Sequence, residues 1–443
     1  SPWIFEDTQS IHIERQRLSQ VLDQFQATQI KASMAEILLA DCTAPSQLPY
    51  HGLNDRLLKE QYGRFMHQVL SQLDVPLSWD PVVTSKNQSP QVGFVVTGGH
   101  ENAFYDLMFP MVQRFQKITP FLITSAAGNQ RIRAKAPEAD IEFLVLPSGL
   151  EEMVQTIRDR QLDALFFFEV GTDVVNSVLP FYRLAPVQCT SWGYPVTTGI
   201  PNMDYFLSSI LLEPEEGESY YTESLVTLDT LPAFFQKPQL PSGKKTRQDF
   251  GIDTSVHLYG CPHQALKLHP DFDDWVADIL RQDPEGQLVL IEMAVAPRHQ
   301  AVQARMEKNI PDVIDRIHFL PRMSHADFTD LLVTINVLLD PIYFGGGITT
   351  YEALAVGTPI VTMPGEFMRG RVTYGCYKKM DMLDCVVNSK NAYVDLAVKL
   401  GTDPTALQAV KEKILASNDV IYEDQTAVEA LESFFIQAKP LQK

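Results

Sequence analysis

An α/β protein with two doubly wound, Rossmann-like halves is the fold class that the sequence predicts, and three observations predict it. From about residue 90, short apolar runs of strand type alternate with stretches of helical period, as in a parallel sheet with helices on both faces. The alternation weakens across residues 207–241 and restarts near Gly251, which points to two sheets with a cleft between them. The third observation is one stretch, Asp340-Pro-Ile-Tyr-Phe-Gly-Gly-Gly-Ile-Thr-Thr350. It follows a buried-type run and opens a helix, and in doubly wound sheets the ligand sits off the carboxyl ends of the strands.

Taken in order, residues 1–90 read as a helical N-terminal segment, with apolar residues at helical spacing over 11–39 and 53–73 and a loop between. No helical repeat is visible in it, and it serves either as packing for the next domain or as a docking surface for a protein partner. A joint marked by Pro81 and Pro90 leads into the first Rossmann-like domain, residues 91–240. Strands are expected there at 92–96, 121–125, 141–146 and 164–169, with a helix over 102–116. Residues 207–241 carry weak, mixed signals and read as the crossing to the second domain, 241–443. Its strands are expected at 256–260, 288–292, 317–320, 337–340 and 360–363. A helix over 351–356 is closed by Gly357 and Pro359, and a last helix covers 428–438.

Composition narrows the class. Hydrophobic content of 45% and charged content of 21% describe a globular chain rather than a disordered one. A net charge of −19 argues against nucleic acid or an anionic membrane as a general partner, while leaving room for a local basic site. No apolar run approaches the roughly 20 residues of a membrane span, and no signal peptide opens the chain. Cys42, Cys189, Cys261, Cys376 and Cys385 are odd in number and lack metal-type spacing, so a cytoplasmic protein with reduced cysteines is expected. The chain opens on Ser1 rather than Met, which leaves room for residues upstream of it.

Few residues are placed to do chemistry. The loop Gly345 to Thr350 joins a strand end to a helix start, where free N–H groups and the helix dipole favour a phosphate. Gly346 and Gly347 let the backbone approach the anion, Thr349 and Thr350 add hydroxyl donors, and Glu352 can accept from ribose hydroxyls. His100 follows a strand end and two glycines, as a general base, a substrate-orienting group or a plain surface histidine. After the first strand of the second half, Gln264 can hydrogen-bond a base or sugar edge, and Lys267 can neutralise a departing diphosphate or simply be a solvated lysine. Asp271 and Asp273 have the spacing of a metal pair, but a helix start favours acids for capping alone, and no metal site is expected.

The stretch Trp192-Gly-Tyr-Pro-x-Thr-Thr-Gly-Ile-Pro-x-Met-Asp204-Tyr205 closely resembles the signature of the O-linked N-acetylglucosamine transferase and SPINDLY family. Three further segments match in the same order: Gln264-x-x-Lys267, the glycine-Thr-Thr loop, and Val361-Thr-Met-Pro-Gly-Glu366 with Arg371-Val372. The resemblance spans residues 90–430. It implies a GT-B fold and an inverting glycosyltransferase that needs no metal or cofactor beyond its donor. That donor is a nucleotide sugar, UDP-N-acetylglucosamine or UDP-glucose, and the acceptor a protein Ser or Thr, or Asn. His100 and Lys267 take the catalytic places. Gln264, Gly346, Gly347, Ile348, Thr349, Thr350 and Glu352 take the donor-binding ones, with Phe328 where the mammalian enzymes set a histidine against uracil. Gly347 departs from the family's His-Thr-Thr triplet, and the family's acceptor-capturing helical repeats are absent from the chain. Use of GDP-fucose, transfer to a small molecule or glycan, and a catalytically silent adaptor that binds nucleotide sugar stay open as alternatives.

Overall fold

A computed structural model describes residues 2–28, 30–39, 43, 45–80, 89–238 and 243–441. Cys42 and Pro81 lie outside the described residues. The chain forms two compact units: Arg15–Pro49, Leu53–Gln236 and Asp424–Lys443 make one, and Ser1–Glu14, Tyr50–Gly52 and Lys237–Glu423 the other. The central division of the chain falls between Gln236 and Lys237. The N-terminal helical segment, however, is not a unit of its own, and the last helix does not belong with the domain that precedes it.

The first unit is built on seven parallel strands: β1 (Gln91–Val96), β2 (Thr119–Ser125), β3 (Glu142–Leu146), β4 (Ala164–Phe167), β5 (Val187–Thr190), β6 (Tyr205–Ser209) and β7 (Ser224–Leu228), in the order β3-β2-β1-β4-β5-β6-β7. β1 and β4 read as continuous apolar runs because both of their faces are covered. Residues 207–241 therefore hold an outer strand, β7, and the end of its neighbour, rather than a mere crossing. The expected helix over 102–116 is two short ones, Glu101–Leu107 and Phe109–Val112. The helix Arg56–Leu70 sends Tyr62, Met66 and Leu70 into the same core as Val154, Ile157 and Phe167, so its apolar face is packing.

Residues 192–205, the stretch that carries the resemblance, are fixed by bonds from within their own unit. Buried Glu223 accepts from the Thr197 hydroxyl at 2.7 Å, from the Thr198 N–H at 2.8 Å and from the Thr198 hydroxyl. Arg183 grips Asp204 in a bidentate pair of 2.6 and 3.1 Å. A Cβ on Gly63 would stand 1.9 Å from the Gly199 carbonyl oxygen, so the helix backbone touches this turn directly. The last helix, Gln425–Gln437, packs on this sheet: buried Glu432 accepts from the N–H groups of Gln116 and Lys117 at 2.5 and 2.6 Å, and Phe435 meets Phe94 edge-on at 5.9 Å.

The second unit has five parallel strands: β8 (His257–Cys261), β9 (Gly286–Ile291), β10 (Ile317–Leu320), β11 (Val337–Leu339) and β12 (Ile360–Val361), in the order β10-β9-β8-β11-β12. The chain leaves β8 towards β9 and leaves β11 towards β12, in opposite directions. The space off the carboxyl ends of β8 and β11 is thus the switch point at which doubly wound sheets open a crevice. β11 and β12 are shorter than the expected 337–340 and 360–363, although the Asp340 N–H still donates to the Val361 carbonyl at 3.0 Å and the Thr362 hydroxyl donates to the Asp340 carboxylate at 2.7 Å.

Candidate functional site

In the five-stranded unit the switch point sets two loops side by side. The first leaves β8 as Pro262-His263-Gln264 and tightens into a 3-10 turn, Ala265–Lys267. The second leaves β11 at Asp340 and runs through Gly345 and Gly346 into the helix Ile348–Ala355. Lys267 joins them: its ammonium donates to the Gly345 carbonyl at 2.7 Å and lies 4.6 Å from the centre of the Phe344 ring. Burial pushes its pKa down to about 8, with Asp340 and Cys261 opposing the fall. Beside it His263 is driven down to about 3, first by burial and then by the charge of Lys267, so its imidazole is neutral.

Asp340, which the sequence reading passed over as the end of a strand, shapes the glycine loop. It is fully buried, and it accepts from the Gly346 N–H and from the Thr362 hydroxyl, each at 2.7 Å. Burial raises its pKa, while those bonds and Lys267 hold it down. The signal was present in an acid closing the apolar run Val337 to Leu339 just before glycines. One consequence bears on the expected cradle: the Gly346 N–H is engaged within the loop, by Asp340. Thr350 is also internal, its hydroxyl 2.9 Å from that of Thr373. The open donors are instead the N–H groups of Gly347, Ile348 and Thr349, which precede or begin the helix and have no acceptor among the described residues.

Glu352 sits just past the first turn of that helix, buried, with a carboxylate oxygen 2.6 Å from Nε2 of the exposed His325. His325 opens the helix His325–Thr334, and Phe328 lies one turn along it, half-buried. A histidine alone in a polar run offered no signal in the sequence. A cavity of about 260 Å³ reaches from His263 and Gln264 across the ends of β8 and β9, past Glu292 and Met293, to Arg298 and Arg322. His263 also borders the glycine loop, its Cε1 3.2 Å from where a Cβ on Gly346 would stand. Lysine, open N–H groups, a carboxylate suited to a ribose and an adjoining cavity give this unit what a nucleoside diphosphate requires.

Of the residues that the sequence singled out, Asp271 and Asp273 have other employment. Asp273 is held by Arg305 in a buried bidentate pair of 2.9 and 2.8 Å. Asp271 accepts from Thr8 at 2.5 Å and from Tyr343 at 2.9 Å.

His100 belongs to the other unit, just beyond β1, where it caps the helix Glu101–Leu107. Its Nδ1 lies 2.9 Å from Glu169, and its Nε2 lies 3.4 Å from Asp173 and 3.1 Å from the Thr172 hydroxyl. Burial lowers its pKa, but the hydrogen bonds to Asp173 and Glu169 outweigh burial and push it up to about 10. The ring is an imidazolium near neutral pH, oriented by two carboxylates. Of the roles open to it in the sequence, orienting a substrate fits this state, and removing a proton at neutral pH does not.

Residues 241–423 match the model of glycosyl transferase family 41. The probable UDP-N-acetylglucosamine–peptide N-acetylglucosaminyltransferase SEC of Arabidopsis thaliana is 27% identical over 301 residues, 66% of this chain and 31% of that protein. SPINDLY of Oryza sativa subsp. japonica, with the same enzyme description, is 27% identical over 298 residues, 65% of this chain and 31% of that protein. The chain thus spans about a third of the length of these relatives. A structure of a mutant O-GlcNAc transferase from Thermobaculum terrenum superposes with a TM-score of 0.74 at 24% identity, covering 88% of this chain and 75% of that one. It carries the fold, and the two doubly wound units are those of the GT-B class. Family model, relatives and ordered motifs agree: residues 241–423 carry the family 41 match, and the chain is similar to the O-linked N-acetylglucosamine transferase and SPINDLY proteins.

Proposed function

We propose that this chain transfers a sugar, with inversion and without a metal, from a nucleotide-sugar donor to a protein side chain, Ser or Thr and in some acceptors Asn. The donor is UDP-N-acetylglucosamine or UDP-glucose. The observation that carries the proposal is the Lys267 ammonium fixed on the glycine loop, next to the open N–H groups of Gly347 to Thr349. A departing nucleoside diphosphate needs charge stabilisation at its β-phosphate, and a preorganised ammonium with a helix N-terminus supplies it. Glu352, already bonded to His325, is suited to ribose hydroxyls, and Gln264 to an edge of the base. Clamped between Glu169 and Asp173, His100 serves as an orienting cation for the acceptor or the sugar.

A guanine nucleotide is the second reading, favoured by Glu292, whose carboxylate borders the cavity. Guanine presents two adjacent N–H donors on its pairing edge, which a carboxylate accepts and uracil cannot match.

The test is thermal shift with UDP, GDP and their sugar conjugates, followed by transfer from the stabilising donor to a Ser/Thr peptide. A ligand that binds only the native state raises the melting temperature, and one near 100 times its Kd contributes about 2.7 kcal/mol. Stabilisation by UDP and its sugars together with peptide transfer is the expected result. Stabilisation by GDP alone selects the second reading. Binding without transfer or donor hydrolysis makes the protein a nucleotide-sugar adaptor, and no stabilisation by any of these ligands overturns both readings.

A further inference from the structure

Tyr50 reaches the glycine loop from far away in the sequence. It sits in the 3-10 turn Leu48–His51, and Tyr50–Gly52 cluster with the five-stranded unit while the residues on either side cluster with the other. The Tyr50 ring is stacked on that of Phe344, with centroids 4.9 Å apart and planes 16° from parallel. Phe344 in turn presents its face to the Lys267 ammonium. Two residues later Gly52, at φ +69°, is pressed on the neighbouring ring: a Cβ there would stand 2.6 Å from Cγ of Tyr343. The hydroxyl of Tyr343 is tied to Asp271, and its ring meets His269 edge-on at 4.5 Å. Both aromatic residues that lead into the glycines are therefore held from behind, Tyr343 by Gly52, His269 and Asp271, and Phe344 by Tyr50.

We propose that the Tyr50–Gly52 turn is a positioning element of the diphosphate site, in which Tyr50 fixes the Phe344 ring and Phe344 fixes the Lys267 ammonium against the glycine loop. This rests on the reading of that loop as the diphosphate site. The physical need is plain. A lysine side chain has four rotatable bonds, and an ammonium that must meet a phosphate without reorganising has to be held in place beforehand. The Gly345 carbonyl fixes one donor direction, and the ring face fixes the side from which the ammonium is approached. The charged and titratable groups around the ammonium are Asp340 at the end of β11, Cys261 at the end of β8, and His263 in the same loop. Asp340 first and then Cys261 favour the cation while burial opposes it, so loss of the ring face shifts the balance towards the neutral amine.

The variants Tyr50→Phe, Tyr50→Leu and Phe344→Leu separate positioning from mere stability. The readouts are melting temperature and calorimetric Kd for UDP, GDP and the matching nucleosides, from pH 7 to 9.5. Tyr50→Phe keeps the ring and should bind within twofold of the parent. Tyr50→Leu should weaken the diphosphate about five- to tenfold, the loss of one aromatic contact, and leave the nucleoside unchanged. The pH above which diphosphate affinity falls should also move down, which a purely structural lesion would not do. If Tyr50→Leu does not fold, Phe344→Leu removes the same stack from the other side and carries the same expectations. Unchanged diphosphate affinity and pH dependence in the folded variant overturns the proposal, as does an equal loss for nucleoside and diphosphate. Lys267→Ala serves as the control: a variant that binds diphosphate as the parent does would show that the site itself is misread, whatever Tyr50 does.

Discussion

At the scale of single residues, two charges decide what the protein can do as pH changes. Lys267, with burial holding it at about 8, is the first. A diphosphate beside it favours the ammonium, so the bound pKa lies above the free one and binding takes up a proton once the free lysine begins to lose its own. Below about 8 the affinity should be flat in pH. Above it, Kd should rise by up to about tenfold per pH unit. Calorimetry of the stabilising diphosphate in buffers of different ionisation heat reads both the slope and the proton uptake, and a Kd constant up to pH 9.5 would contradict the assignment. His100 is the second charge, raised from 6.5 to about 10 by Asp173 and Glu169. A raised folded pKa means that its contribution to stability is complete below 6.5 and is lost as pH rises through about 10. The melting-temperature gap between the parent and His100→Asn should therefore be widest near pH 6 and close towards pH 10. A gap independent of pH would place the two carboxylates' hold on the ring elsewhere. Both residues were legible as candidates because each stands just past a predicted strand, where doubly wound folds put their chemistry. Their protonation states were not legible. Those depend on Asp340, Glu169 and Asp173, partners that folding brings in from other parts of the sequence.

At the scale of elements, the glycine loop shows how much of a motif is architecture. Gly345 and Gly346 are small because the loop folds onto itself: a Cβ at 346 would stand 2.2 Å from Oγ1 of Thr350, and one at 345 would stand 2.9 Å from Asp340. A Cβ at 347 would meet nothing within 4 Å. Gly346→Ala should consequently lower the melting temperature of the unliganded protein along with its nucleotide affinity, because Thr350 must leave Thr373. Gly347→Ala should keep the melting temperature within about 2 °C and, if the open side of the loop holds the diphosphate, weaken that ligand several-fold without touching the nucleoside. Equal behaviour of the two variants would refute the division. The strands around the loop were readable because buried parallel strands are unbroken apolar runs, as in Leu288 to Ile291. Strands β5 to β7 were not, since Val-Gln-Cys-Thr at β5 is short and half polar, and β7, at the sheet edge, is only partly buried. The Trp192 to Tyr205 stretch, from which the family was recognised, proves to be the turn that Glu223 and Arg183 lock in place. Many of its backbone and side-chain groups are fixed by these bonds.

At the scale of the whole molecule, chain order and packing order part company, and this is the feature that periodicity could not show. The last helix has an apolar stripe that any sheet could cover, and only its contacts reveal that it belongs with the seven-stranded sheet rather than the five-stranded one that precedes it in the chain. The anchor is Glu432, which is buried and accepts from two backbone N–H groups at the end of the segment leading to β2. Glu432→Ala leaves both N–H groups without their acceptor in a buried place. Hydrogen bonds to a charged group contribute about 1.5–3 kcal/mol each, so a loss of about 3 kcal/mol or more is expected. The loss should fall on the seven-stranded unit alone. Hydrogen exchange should accelerate in β1, β2 and the last helix while β8, β9 and β11 keep their protection, and the Kd for the nucleoside diphosphate should stay within twofold of the parent. Ligand, conversely, should slow exchange within residues 243–423 and leave the Glu432 lesion uncorrected. An opposite pattern, with β8 to β12 destabilised and nucleotide affinity lost on removal of Glu432, would assign the helix to the domain that precedes it in the chain.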